Sequence, residues 1–160
     1  MPPIPISQPL SPEIIERIAR AIHERYCRNQ RNRKPASDPA LQPWDALPES
    51  LRDSNRAQAE AIPGKLGLLG YRIAGSGAAP VTALTDGELE RLARAEHDRW
   101  VEERREAGWT LGPERDVERR RTPHLVPWEE LPEEIREYDR DAVRAIPAVL
   151  AEAGLGVYRS

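Results

Sequence analysis

Large aromatic and sulfur-containing residues are scarce in this chain, and the scarcity excludes some kinds of structure. Phenylalanine is absent from the 160 residues, and cysteine and methionine occur once each. Because Cys27 has no second cysteine to pair with, an internal disulfide and a cysteine-based zinc site are excluded. Only 39% of the residues are hydrophobic and 32% are charged, so we expect a thin core and a largely solvated helical surface.

Long apolar runs are also missing. No stretch approaches the apolar length needed to span a bilayer, and the first residues lack the basic region and apolar run of a secretory signal. The formal net charge of −3 gives no general attraction to nucleic acid or to an anionic membrane surface. We therefore expect a cytoplasmic protein with neither nucleic acid nor membrane as a partner.

What the chain does contain is a duplication. Residues 15–26 recur at 89–100 with seven of twelve positions identical, and residues 43–66 recur at 127–150 with eleven of twenty-four identical. The offset grows from 74 to 84 residues, because the second copy carries ten extra residues around Gly108–Pro113. We expect a mainly α fold in which two pseudo-twofold-related repeats, each of two helices, carry long loops and short extended pieces.

Composition sets the expected boundaries of the repeats. Small residues and proline indicate a linker at 74–84, which leaves a first repeat at 1–73 and a second at 85–160. The extended pieces at 71–73 and 156–158 are expected to pair as a ribbon.

Capping residues and apolar spacing predict four helices. Thr85 and Glu88 have the spacing of a capping box at the start of the third helix. Because proline lacks an amide donor, we expect Pro63 to kink or shorten the second helix, and Pro147 occupies the same place in the fourth. The expected helices cover residues 12–30, 48–69, 85–107 and 132–154.

Motifs that carry catalysis are missing from the sequence. There is no Gly-x-Ser-x-Gly nucleophile elbow, no His-Glu-x-x-His zinc motif and no glycine-rich loop that would cradle a phosphate. An enzyme is therefore the least favoured class, and we expect no catalytic residue, no bound metal and no cofactor.

Each copy places a histidine and a large aromatic ring three residues apart on one helical face, as His23 with Tyr26 and His97 with Trp100. If the two faces confront each other across a groove, the opposed rings form a slot for a flat heterocycle with the histidines at its rim. Arg104, one turn beyond Trp100, would then reach a phosphate. Alternatively, the rings are core residues and the histidines bond to nearby backbone groups.

The motif string of the second copy resembles the RyR repeat of ryanodine receptors and its bacterial relatives, and the first copy resembles it more weakly. The second copy carries His97–Trp100, Gly108–Pro113, Arg115–Asp116, His124–Trp128, Leu131–Pro132 and Tyr138–Arg140. The first carries His23, Tyr26, Pro43–Trp44, Leu47–Pro48 and Ser54–Arg56, and it lacks the Gly-Trp-Thr loop. Such repeats occur in tandem pairs, so the chain is similar to a bacterial tandem RyR-domain protein.

The resemblance implies a ligand-binding role without catalysis. In the receptors the paired repeats look like lobes that hold an adenine-type ring between aromatics at the positions of Tyr26 and Trp100. The partners implied at the other positions are His23, His97, Arg104 and Asn55. Bacterial members accompany nucleotide-sensing and defence modules, which implies a nucleotide signal as the ligand class. The resemblance to the loop signature implies that Trp109 and Trp128 are buried structural residues.

Two functions are consistent with these features. The first is a sensor or sink that binds an adenine nucleotide, or a signal derived from one, in the groove between the repeats. The second is a protein–protein interaction or assembly module with no small-molecule ligand, in which a partner side chain fills the same groove. A second copy of the chain or an effector protein is the further partner we expect.

Overall fold

The structure is a computed structural model that describes residues 10–75 and 79–159. It divides into two compact units, Met1–Ala83 with Ala145–Ser160 (unit 1) and Leu84–Arg144 (unit 2). Residues 76–78 of the predicted linker lie outside the described residues, and the predicted repeat boundaries remain a prediction. Most described residues of both units are helical, which confirms the predicted mainly α fold.

Unit 1 is built on two long helices, α1 (Pro12–Gln30) and α2 (Glu49–Leu68). Ser11 caps α1 by accepting a hydrogen bond from the amide of Ile14 at 3.3 Å. Gly70 follows α2 with a φ of +76°, a left-handed conformation that favours glycine and ends the helix. The unit is completed by β1 (Tyr71–Ala74) and by two elements from the end of the chain, α5 (Ile146–Glu152) and β4 (Gly156–Arg159).

The predicted ribbon is confirmed. Strands β1 and β4 pair antiparallel, with Tyr71 opposite Arg159 and Ala74 opposite Gly156. Its inner side joins the core of unit 1, whose fully buried large residues are aliphatic. They are Ile18, Ile62, Leu66, Ile73, Val149, Leu150 and Val157.

Unit 2 contains α3 (Asp86–Glu106) and α4 (Glu133–Arg144), joined by a long irregular connection. The predicted capping box at the start of α3 is confirmed, because Thr85 and Glu88 exchange both of its hydrogen bonds. The connection, predicted as loop, also contains a short parallel pair of strands, β2 (Thr110–Leu111) and β3 (Arg121–Thr122). Strands of two residues show no alternation of apolar and polar side chains, so no pattern in the sequence predicts them.

The prediction of one helix over 132–154 is wrong. Helix α4 ends at Arg144 and α5 begins at Ile146, with Pro147 at the first or second position of the new helix. Proline lacks the amide hydrogen and its ring excludes the carbonyl four residues back, so it ends one helix and is accommodated at the start of the next. By contrast α2 continues through Pro63 to Leu68 and is not shortened.

Each unit contains the same three-residue anchor, formed by a buried tryptophan, a glutamate and an arginine. In unit 1 the Trp44 indole donates to Glu16 at 3.1 Å, and Arg56 donates to the same carboxylate at 2.8 and 3.1 Å. In unit 2 the anchor consists of Trp128, Glu90 and Arg140, with corresponding distances of 3.2, 2.8 and 3.2 Å. The two anchors match position by position at the offsets of the duplicated sequence, and each ties a helix to the connection that follows it.

Acid is expected to weaken both anchors. The hydrogen bonds from Arg56 and Arg140 hold the pKa of the Glu16 and Glu90 carboxyls below their ordinary values. A lowered folded-state pKa gives a stabilisation that is complete above the unfolded-state pKa of about 4.3 and is lost as the pH falls through the folded-state value. We expect the free energy of unfolding, measured with urea, to decrease over that acid range.

Two arginine variants separate this effect from general acid denaturation. Arg140→Gln should lower the free energy of unfolding at neutral pH by about 1 kcal/mol and reduce its dependence on acid, since the Glu90 pKa returns towards normal. Arg144→Gln removes a cation whose side chain is 51% exposed and should retain the wild-type acid dependence. An unchanged acid dependence in Arg140→Gln would contradict the prediction.

Candidate functional site

Two half-buried indoles in unit 2 flank one arginine. The Arg104 guanidinium carbon lies 5.6 Å from the centre of the Trp100 ring and 5.4 Å from that of Trp109. Both distances fall within the range of cation–π attraction. Trp100, Arg104 and Trp109 together form what we call the aromatic clamp.

Local backbone geometry assembles the aromatic clamp. Trp100 and Arg104 lie four residues apart on α3 and therefore share a face. Gly108 then takes a φ of +87°, which turns the chain back, and the Trp109 amide donates to the Arg104 carbonyl at 2.9 Å. A side chain at residue 108 would be strained in this conformation and would meet the Arg120 guanidinium at 3.3 Å.

His97 supports the Trp100 ring from within the unit. It is only 2% exposed, and its ring lies 6.0 Å from that of Trp100 at an interplanar angle of 22°. Its Nε2 lies 2.6 Å from the Val126 carbonyl, and because a carbonyl oxygen only accepts, Nε2 carries the proton and donates. The bond fixes the imidazole plane and so the surface against which Trp100 rests.

His23 is held in the same way in unit 1. It is 4% exposed, and its Nε2 lies 2.6 Å from the Gln42 carbonyl and 3.4 Å from Cys27 Sγ. Both histidines thus bond to backbone groups, as the alternative interpretation of the sequence expected. Their part in ligand binding stays a prediction.

The Tyr26 ring lies next to the ammonium group of Lys34. Lys34 Nζ donates to the Tyr26 hydroxyl at 2.7 Å and lies 5.4 Å from the centre of its ring. Asn55 is half-buried on α2, next to the anchor residue Arg56. The structure therefore places His23, Tyr26 and Asn55 in unit 1, and it brings His97, Trp100 and Arg104 together in unit 2. The predicted slot between Tyr26 and Trp100 stays a prediction.

The two loop tryptophans differ in their surroundings. Trp128 is 4% exposed and is held by the unit 2 anchor, which confirms its predicted structural role. Trp109 is only half-buried, so the prediction of a buried wedge is wrong. Its amide bond to Arg104 directs it towards that side chain. The signal that identifies Trp109 is an aromatic residue directly after a helix-terminating glycine and five residues after an arginine.

Reactive and metal-binding chemistry is weakly represented in the described residues. Burial raises the pKa of the Cys27 thiol, which disfavours a nucleophilic thiolate. Over residues 10–75 and 79–159, no cluster of three or more His, Cys, Asp and Glu side chains is arranged to hold a metal ion. No helix in this part of the chain combines the length and the apolar composition required to cross a membrane.

Truncating the two tryptophans should have unequal effects on stability. Trp128→Ala removes a buried ring and leaves a cavity, and we expect the free energy of unfolding to fall by about 3–5 kcal/mol. Trp109→Ala removes a half-buried ring and one cation–π contact, and we expect a loss of about 1 kcal/mol. Urea unfolding followed by circular dichroism measures both, and equal losses would contradict this assignment.

The family model described as RyR domain matches residues 83–159, the segment that contains the aromatic clamp and the unit 2 anchor.

Proposed function

Because residues 83–159 match the RyR domain family model, we propose that the chain is a non-enzymatic binding protein for an adenine nucleotide or a signal derived from one. The aromatic clamp carries this proposal. Its two half-buried indoles offer π surface, and its guanidinium, 5.6 and 5.4 Å from the two ring centres, offers positive charge.

The chemistry of the clamp suits a flat anionic ligand. Stacking of a base on an aromatic side chain contributes about 1–3 kcal/mol. A guanidinium matches the geometry of phosphate oxygens and forms charge-assisted hydrogen bonds with them. In the described residues Arg104 forms no ion pair with a carboxylate, so its charge is available to a ligand phosphate.

His97 acts in this proposal as a positioning residue. Its bond to the Val126 carbonyl fixes the imidazole, and the imidazole fixes Trp100. The indole is then ordered before the ligand arrives, which reduces the entropy lost on binding.

We extend the proposal to unit 1, as a second RyR repeat whose Tyr26, His23 and Asn55 contribute to ligand binding. The matching anchors and the matching bonds from His23 and His97 support the repeat. Tyr26 with Lys34 also combines a ring and a cation, as the clamp does. The lone cysteine and a nucleotide ligand fit a cytoplasmic sensor or sink that acts through an effector protein or a second copy.

Trp100→Ala should abolish nucleotide binding and leave the chain folded. The test is a thermal-shift screen of ATP, ADP-ribose and cyclic nucleotides, followed by calorimetry on any ligand that raises the melting temperature. A ligand at 100 times its Kd stabilises the folded state by about 2.7 kcal/mol, which such a screen detects. Trp100→Phe, which keeps a ring, should retain most of the affinity, and Tyr26→Ala tests the contribution of unit 1.

The controls separate binding from stability. Circular dichroism should show the same helical content in Trp100→Ala as in the wild type. If no nucleotide shifts the wild-type melting temperature, the proposal fails and the chain is an interaction or assembly module. Sedimentation velocity over a range of concentrations then tests self-association.

A further inference from the structure

In the described residues Arg25 has one guanidinium nitrogen without a hydrogen-bond partner. It lies on α1 of unit 1 with its side chain half-buried, and its Nε–H is buried without any hydrogen-bond partner. A buried donor without an acceptor costs about 1–3 kcal/mol, and more when the group is charged. An anion that accepted a hydrogen bond from this N–H would remove that cost.

Arg99, the matching residue in unit 2, is paired with two carboxylates. Arg99 occupies the same place in the duplicated sequence and donates to Glu96 at 2.7 Å and to Glu103 at 2.5 Å. In unit 1 the corresponding positions are Ile22 and Asn29. The duplication thus preserves the arginine and replaces both carboxylates by uncharged residues.

The surrounding sequence is strongly basic although the chain as a whole is acidic. From Arg25 to Ser37 there are five basic residues and no acidic one, in a chain of net charge −3. The matching segment of unit 2 from Arg99 to Ala107 balances three arginines with three glutamates. Cations near a helix C-terminus stabilise the helix, which accounts for the exposed Arg28. That effect does not account for a half-buried arginine more than one turn before the helix ends.

We propose that Arg25 anchors an anion-binding site that takes an oligophosphate group. Arg28 and Asn29 lie three and four residues further along α1, so they share its face, and both are exposed. The Nε of Arg25 is buried but makes no hydrogen bond in the described residues, so a rotation that brings the Nε–Nη edge to an incoming phosphate breaks no bond at Nε. The exposed arginines of the following turn add positive field. This site is separate from the aromatic clamp and does not rest on the nucleotide proposal.

Calorimetric titration of the full chain with inorganic triphosphate at low salt tests the site. We expect the wild type to bind, and Arg25→Gln to weaken affinity at least about tenfold, the loss of one charge-assisted hydrogen bond. Asn29→Glu rebuilds the ion pair that Arg99 makes in unit 2 and should weaken binding by a similar factor. It changes an exposed position, so it also answers the case in which Arg25→Gln fails to fold.

A matched variant excludes a general effect of charge. Arg17→Gln removes an exposed arginine from the same helix and should bind triphosphate like the wild type. The site is refuted if the wild type does not bind, or if Arg25→Gln binds as well as Arg17→Gln. Arg25-dependent binding of duplex DNA more tightly than triphosphate would refute the small-anion assignment.

Discussion

A buried indole nitrogen needs a hydrogen-bond acceptor, and both units are organised around that requirement. Trp44 and Trp128 are 9% and 4% exposed, so water does not satisfy their N–H groups. A glutamate on the first helix of each unit accepts the bond, and an arginine on the second helix donates to the same carboxylate. One polar contact thus joins two helices and the connection between them.

The position of the histidines depends on the same constraint. Once a connection is tied down at its tryptophan, the carbonyl two residues earlier lies within 2.6 Å of the imidazole Nε2. The histidine ring is then fixed from both sides, since it also lies near the indole, at 6.1 Å for His23 and 6.2 Å for His97. In unit 2 the ordered imidazole in turn supports Trp100. The clamp is therefore built outward from a buried indole and the partly exposed ion pair that binds it.

Much of the local structure could be predicted because its causes are local. The Thr85 capping box, the glycines after α2 and α3 and the apolar spacing of α1 each act within a few residues. The prediction for Trp109 fails because its exposure depends on where a positive φ at Gly108 directs the chain. The separation of α4 from α5 is not predictable because Pro63 and Pro147 have similar sequence neighbours, although only Pro147 lies at the start of a helix. Tertiary packing decides between the two outcomes.

The first helices of the two units differ in the residues on one face. Positions that form the anchors and bind the histidines are the same in both copies or chemically equivalent. By contrast residues 21–30 of α1 and 95–104 of α3 differ at seven of ten places, and four of these lie on one face, where Ile22, Tyr26, Asn29 and Gln30 correspond to Glu96, Trp100, Glu103 and Arg104. In unit 2 the Arg104 guanidinium lies against two indoles. In unit 1 the Arg25 guanidinium has no hydrogen bond at its Nε in the described residues. Because the anchors are intact in both units, such exchanges alter the charge presented to a ligand and leave the scaffold unchanged.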